Sequence, residues 1–446
     1  MTITTPHPPP TDSTLRACQI AKLLKIINEN GNKLMEILLT GREIDPKDST
    51  GRLISNEYHE SSRNMIAGLG LMQNVVQVPG ERLLELCGTY HEATAVHVLA
   101  DAGIPDVLAE AGEEGMSGAE LGKRVGIEPS KLTRIMRLLA ANHVVKETAP
   151  NTFANDRVSS ILVNNLPLRS YVRVADFFYP FGAHTRKTLM DPITGPSFSP
   201  WQTAFQGVMN TDKAFWEWLE ETDEDGNKRP ELETFGLGMV GHGKLHDRCL
   251  LFDYPWGTLG AAKVVDVGGG VGGFCMDLYE QFPELTFVVQ DRPPVIEQAK
   301  AVWGERFPGY EKRVTLMAQD FFEENAVKDA DVYVLRCVIH DWPTEPATGI
   351  LAALTKSIPE HAKILLVEQV LQPTTTSPKS RYPIIPKNFG TYSRVHHIMD
   401  LTMMSSVNAQ ERTESEYRAI VEGAGLKVDK VWETRGPLSF VEIRRT

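Results

Sequence analysis

The residues that could do chemistry lie between positions 266 and 411. Asp266-Val267-Gly268-Gly269-Gly270-Val271-Gly272-Gly273 follows the apolar run Lys263-Val264-Val265 and precedes a helical pattern. Glycines at a strand-to-helix junction let the backbone turn tightly and approach a ligand, which then faces the helix N-terminus. Gly268, Gly270 and Gly273 fit G-x-G-x-x-G, so the loop alone admits NAD as readily as another adenosine cofactor. Asp291 closes the next apolar run about twenty residues later, where an acid can accept both ribose hydroxyls. The alternative, a cap on the helix that Pro293-Pro294 opens, is the weaker reading. Asp320-Phe321 ends a further run: its carboxylate or a neighbouring amide can meet an adenine amino group, while the ring packs on the base. Beyond the run that ends at Arg336 stands His340-Asp341-Trp342, at the strand edge where open α/β sheets hold their ligands.

These groups need a scaffold, and the pattern from residue 260 onward predicts one. Short β-branched runs at 263–268, 285–291, 314–320, 331–339 and 362–371 alternate with helical stretches at 272–282, 293–307 and 344–358. Such alternation means a parallel sheet with helices on both faces. Residues 414–446 read as a helix and a closing strand pair.

The N-terminal half is different. Residues 1–13 are polar and proline-rich and read as disordered. Residues 14–42 place Ile20, Leu23, Leu24, Ile27, Leu34, Ile37 and Leu38 at helical spacing, with Gly31 expected to interrupt them. Residues 44–80 show no readable period. Helices resume from 82, and Ser117-Gly-Ala-Glu120 is a capping box. A helix with Leu132, Ile135, Met136 and Leu139 on one face follows, then two short segments around a turn, the pattern of a winged helix. Lys131, Arg134 and Arg137 share a face of that helix. The net charge of −12 reads this face as solvated rather than as a nucleic-acid reader. Residues 170–235 are rich in aromatics: Phe177, Phe178, Tyr179, Phe198, Trp201, Phe205, Phe215, Trp216 and Trp218. They are either ordinary core or the walls of an aromatic-substrate pocket.

The set strand-GGG-strand-D, then D-F, R-x-x-x-H-D-W-P, V-E and E-R-T-E resembles the large plant and fungal O-methyltransferases, the caffeic acid and sterigmatocystin O-methyltransferase type. The resemblance implies an α/β chain: a Rossmann-like class I methyltransferase domain preceded by a mainly helical winged-helix dimerisation domain. It divides the chain into an N-terminal helical extension (1–80), a dimerisation domain (81–165), a helical linker with substrate-pocket residues (166–240) and an S-adenosylmethionine-binding domain (241–446). By the same resemblance His340 is the catalytic base, and Glu368 and Glu411 flank and orient it. Gly268, Gly269 and Gly270 line the methionine side of the cofactor, Asp291 takes the ribose, and Asp320 and Phe321 take the adenine. Arg336 stands at a basic cofactor contact, and Met403, Met404 and Asn408 face the substrate. Two departures stand out. A Pro-, Thr- and Ser-rich insert, 372–394, reads as a loop and loosens the register at Glu411, and Pro343-Thr344-Glu345 lacks the usual acid after the proline.

Methyl transfer from a sulfonium to a hydroxyl needs an in-line nucleophile and a group to take the proton. A phenol near pKa 10 and a histidine near 6.5 differ by roughly 3–4 units, a gap that a carboxylate on the far ring nitrogen narrows. A small aromatic or polyketide-type substrate, a homodimer and no nucleic-acid partner are expected. No apolar run approaches the ~20 residues that cross a bilayer. The scattered Cys18, Cys87, Cys249, Cys275 and Cys337 form no C-x-x-C pair, which suits a reducing, cytoplasmic setting. The rivals are a dehydrogenase on the same fold, a relative catalysing a dehydration or pericyclic reaction with S-adenosylmethionine as a bound aid, and a DNA-binding regulator. The motifs hold no Asp/Asp/Asn or His-rich metal set. Methyl transfer measured after EDTA treatment is therefore expected to survive undiminished; a loss restored by magnesium would contradict this.

Overall fold

The computed structural model describes residues 13–446. The expected disorder at 1–13 lies outside the described residues except for Ser13, which opens the first helix, Ser13–Leu39. The chain forms two compact units, Met1–Arg82 with Arg248–Asp400 and Gln410–Thr446, and Leu83–Asp247 with Leu401–Ala409.

The first unit is built on a seven-stranded sheet, numbered here β1 (Lys263–Val267), β2 (Thr286–Asp291), β3 (Val314–Ala318), β4 (Val332–Arg336), β5 (Lys363–Glu368), β6 (Leu426–Trp432) and β7 (Ser439–Arg445). Their order is β6-β7-β5-β4-β1-β2-β3. All pairs are parallel except β5–β7 and β7–β6. The mixed, mainly parallel sheet is the fold that the strand–helix alternation implies. β1, β4 and β5 are buried along almost their whole length, as strands covered on both faces must be. The fully buried Trp303 donates from Nε1 to Val271 O at 3.0 Å and so braces the glycine loop against the helix Pro293–Arg306.

The same unit contains the N-terminal hairpin of Ser13–Leu39 and Asn56–Val76. The first helix runs straight through Gly31, contrary to expectation. A Cβ there would meet only Met65 at 3.8 Å, and packing against the second helix outweighs the roughly 1 kcal/mol that glycine costs. The second helix escaped the sequence reading because its buried face is His59, Ser61, Asn64, Ala67 and Gly68, which has no hydrophobic period. The 372–394 insert covers that face. Tyr382 and Ile385 pack with Ile26 and Ala67, Asn30 Nδ2 donates to Tyr382 Oη at 3.3 Å, and His59 Nε2 lies 2.8 Å from Tyr392 Oη. A side chain at Gly70 would overlap Thr391.

The second unit carries two helices, Gly118–Val125 and Pro129–Ala141, then an antiparallel hairpin of Val145–Ala149 and Thr152–Asn155. Ser117 caps the first helix by accepting from Glu120 N at 3.2 Å. Arg137 is committed to Asn151 Oδ1, so the basic face is partly tied down. Phe181, Phe205, Phe215 and Trp218 are buried core, and the half-buried Phe177 and Phe178 pack with them, mostly edge to face. Phe198 and Trp201 stay exposed. Among the described residues no helix is long and apolar enough to cross a membrane.

The loop joining the two N-terminal helices is clasped to the sheet by buried charge. Arg435 donates to Asp45 at 2.6 Å, to Asp253 at 2.5 Å and to Ile54 O at 2.8 Å, while Arg248 pairs with Asp48. Burial raises the Asp48 carboxyl, but Arg248, Thr50 and the Leu53 N–H more than reverse this and hold it well below the usual range. Carboxyls depressed in this way contribute stability above about pH 4, which is lost as the pH falls further. Arg435→Met strands two buried carboxylates and is expected to cost about 3–5 kcal/mol, read by urea denaturation at pH 7. A loss under 1 kcal/mol would show that the clasp is dispensable.

Candidate functional site

β1 delivers the chain into the glycine loop. Gly268 and Gly270 take positive φ, +71° and +62°, where glycine is the residue without strain. Gly268 N and Gly269 N both donate to Gln290 O, at 2.9 and 3.0 Å, and Gly270 N donates to Asp291 Oδ2 at 2.8 Å. The other Asp291 oxygen accepts Arg292 N–H at 2.7 Å. Asp291 therefore holds the glycine loop from the end of the neighbouring strand, with one lone pair of each oxygen still to spend. A Cβ on Gly268 would lie 2.9 Å from Val338 Cγ2 and 3.7 Å from the Phe321 ring, while one on Gly270 or Gly273 would meet nothing within 4 Å. The result is a narrow cradle floored by backbone, open above the loop and walled by Phe321. Beneath it Asp266 is fully buried, accepts from Cys275 Sγ at 3.3 Å and has no partner on Oδ1. Burial pushes its carboxyl up to about 6. This cradle and orphaned oxygen suit a ligand with a cationic amino-acid end and a flat nucleoside end.

Asp320 is exposed, and its carboxylate accepts Phe322 N–H at 2.9 Å across a local turn. Phe321 packs edge-on against Trp342 with ring centres 6.0 Å apart. Arg336 closes β4, its guanidinium 5.5 Å from the centre of the Phe274 ring and close enough to Asp266 to temper that acid.

Past Arg336 the chain makes a left-handed step at Cys337, φ +51°, and enters a single 3-10 turn, Ile339–Asp341. His340 sits in it, its side chain 13% exposed. Nδ1 lies 2.7 Å from Glu411 Oε1, and Nε2 lies 3.5 Å from Asp341 Oδ1. Burial pulls the imidazole down, but Glu411, Asp341 and Glu368 together raise it well above the usual histidine range. Burial also lifts the carboxyls of Asp341 to about 6 and Glu368 to about 7.

The two glutamates do not play the same part. Glu411 binds the ring, whereas Glu368 Oε1 accepts Val338 N–H at 3.0 Å and Ile339 N–H at 2.8 Å, so it holds the backbone that carries the ring. Cys337 Sγ, a His340 nitrogen and a Glu368 oxygen lie within 4.8 Å of one another, a set that could take a cation. Burial keeps the thiol protonated, pushed up to about 12.

Met403 is buried and Met404 half-buried near the end of the helix Arg394–Val407, in the second unit. Asn408 follows at φ +54°, and its Nδ2 is spent on Ser197 O, Ser199 O and Gln202 O. The sequence reading missed two groups. Asp400 accepts Glu411 N–H at 2.9 Å, and the wholly buried Arg412 donates to Ile339 O and Trp342 O at 2.9 and 2.7 Å. A charged residue beside Glu411 in the E-R-T-E motif was the available signal for the second.

Residues 221–427 match the family model of the O-methyltransferase domain, and residues 84–165 match that of the O-methyltransferase dimerisation domain. The chain is 40% identical to O-methyltransferase gedA of Aspergillus terreus, over 88% of each chain. The structure resembles that of the mitomycin 7-O-methyltransferase MmcR, with a TM-score of 0.64 and 25% identity over 82% of this chain and 98% of that one. It also resembles an enzyme described as a pericyclic reaction enzyme, with a TM-score of 0.69 and 20% identity over 86% and 94%. At that identity the second likeness speaks for the fold alone.

The coupling of His340 to Glu411 has a measurable consequence. Glu411→Gln removes the nearest anion and leaves burial to dominate, so the imidazole should titrate at lower pH than in the wild type. Imidazole NMR of the folded protein reads this directly, and an unmoved midpoint would show that the pair is not coupled.

Proposed function

Because the chain belongs to the S-adenosylmethionine-dependent O-methyltransferases, we propose that it methylates a hydroxyl, phenolic in kind, of a small aromatic or polyketide-type metabolite, with His340 as general base. The observation that carries this reading is the 2.7 Å bond from His340 Nδ1 to a fully buried Glu411. It orients the ring and stabilises the imidazolium that forms when Nε2, in the neutral form of the ring, takes the substrate proton. When bound, S-adenosylmethionine supplies an electrophilic methyl group. The chain's own residues bind, orient and take the proton: Asp291 the ribose, Gly268, Gly269 and Gly270 the amino-acid end, Asp320 and Phe321 the adenine, and Arg336 and Asp266 the charges at the loop. Glu368 belongs to the base through the backbone it holds. Positioning of this kind can supply on the order of 7–11 kcal/mol and the base about 10²–10⁴-fold.

Met403 and Met404 are our substrate-side candidates; Asn408 serves there through the 197–202 loop that its amide pins. The same division of labour assigns 81–165 to dimerisation, and a homodimer follows from it. The helix Pro79–Gly88 buries none of its residues and exposes Leu83, Leu84 and Leu86, a stripe that a second copy would cover. The free cysteines suit a reducing cytosol.

His340→Ala should lower kcat by about 10²–10⁴-fold while cofactor affinity, read by calorimetry, holds. Near-normal turnover on the true substrate would remove the base. Product mass separates the chemistries: a gain of one methyl keeps the class, whereas loss of water or an unchanged mass points to a dehydration or rearrangement.

A further inference from the structure

Arg412 is 0% exposed, yet it carries a charge that water would solvate far better. Its partners explain the position. Nη1 donates to Ile339 O at 2.9 Å and Nη2 to Trp342 O at 2.7 Å, the two carbonyls that bracket His340 and Asp341. On the other side of the same turn Glu368 Oε1 accepts Val338 N–H and Ile339 N–H. Both backbone groups of Ile339 are therefore gripped, its N–H by a carboxylate and its C=O by a guanidinium. A short ladder sets Arg412 in place: it pairs in parallel register with Val370, two residues beyond Glu368. Glu411, the residue before it, holds the ring itself.

We propose that Arg412 is a positioning residue of the proton-transfer step, the fork that fixes the 339–342 turn so that His340 Nε2 is held where the substrate hydroxyl arrives. The proposal rests on the reading of His340 as base. A guanidinium suits this task because its donors diverge in a rigid plane and can meet two separate carbonyls at once. A lysine carries its three donors on one nitrogen, so it keeps the charge but cannot hold both carbonyls in the same geometry. Arg412 Nε finds no partner among the described residues, so the guanidinium is kept in place by the carbonyls of Ile339 and Trp342 and, at 3.4 Å, of Gln410.

The test is a double-mutant cycle on the full-length enzyme, with Arg412→Lys and His340→Ala singly and together. Arg412→Lys should lower kcat at least 10-fold, with KM for both substrates and calorimetric cofactor affinity within about threefold. In the His340→Ala background the same substitution should change kcat less than twofold, since the group it positions is gone. The downfield imidazole N–H signal of His340 should move or broaden in Arg412→Lys alone. An equal loss in both backgrounds, or wild-type turnover of Arg412→Lys, overturns the proposal. So does a protein that no longer folds or binds cofactor with either Lys or Met at 412, which would assign the residue to the stability of the unit. Near-normal turnover of His340→Ala by itself instead removes the base, whatever Arg412→Lys does.

Discussion

An imidazole taken out of water prefers to be neutral, and a carboxylate taken out of water prefers to be protonated. Held 2.7 Å from His340, Glu411 offsets the burial that would otherwise keep the imidazole neutral. Everything near them can be understood as keeping that pair where it is. Asp400 fixes the Glu411 backbone, Glu368 and Arg412 fix the turn beneath the ring, and Asp341 flanks the other nitrogen. The arrangement gathers several carboxyls around one imidazole, and their charges together raise it. A base whose readiness depends on its neighbours in this way is tuned by the whole cluster.

The sheet is what makes such a cluster affordable. β4 and β5 lie side by side in its middle, and both end at the same edge, so His340 just past one and Glu368 at the tip of the other meet without any loop having to reach. The glycine loop leaves β1, the neighbour of β4, at that same edge, and Asp291 closes β2 beyond it. The base and the nucleotide cradle thus derive their spacing from the interstrand distance, which the backbone ladder sets, and side-chain choice adjusts it only slightly.

How far the sequence could be read follows from this. The strands were legible because each is a short β-branched run, and the loop and the histidine because glycine and His-Asp-Trp stand at run ends. Glu368 was legible as a residue but not in its act, since nothing in V-E says that the carboxylate will bind two backbone amides instead of a ring. The helix Asn56–Val76 was invisible because it buries histidine, serine, asparagine, alanine and glycine, with His59 meeting Tyr392 of the insert and no apolar stripe to announce the face. Gly31 misled for a related reason: propensity is a local quantity, and the helix it sits in is decided by its neighbour. The bonds that Asn408 makes were not legible, since its amide nitrogen reaches a loop two hundred residues away in sequence.

The clasp at Arg435 also orders events in time. Asp45 and its partner are 390 residues apart, and the insert that roofs the N-terminal hairpin lies more than three hundred residues downstream of it. During synthesis the helix Asn56–Val76 leaves the ribosome with its polar, small-residue face bare and must wait for the insert some three hundred residues on. The second unit is almost contiguous, Leu83–Asp247, and lacks only the nine residues Leu401–Ala409, so it can begin to condense while the sheet is still being made. The helix Asn56–Val76 is made early and satisfied late, and a waiting face that is polar and glycine-bearing is far less prone to bind strangers than a leucine stripe would be.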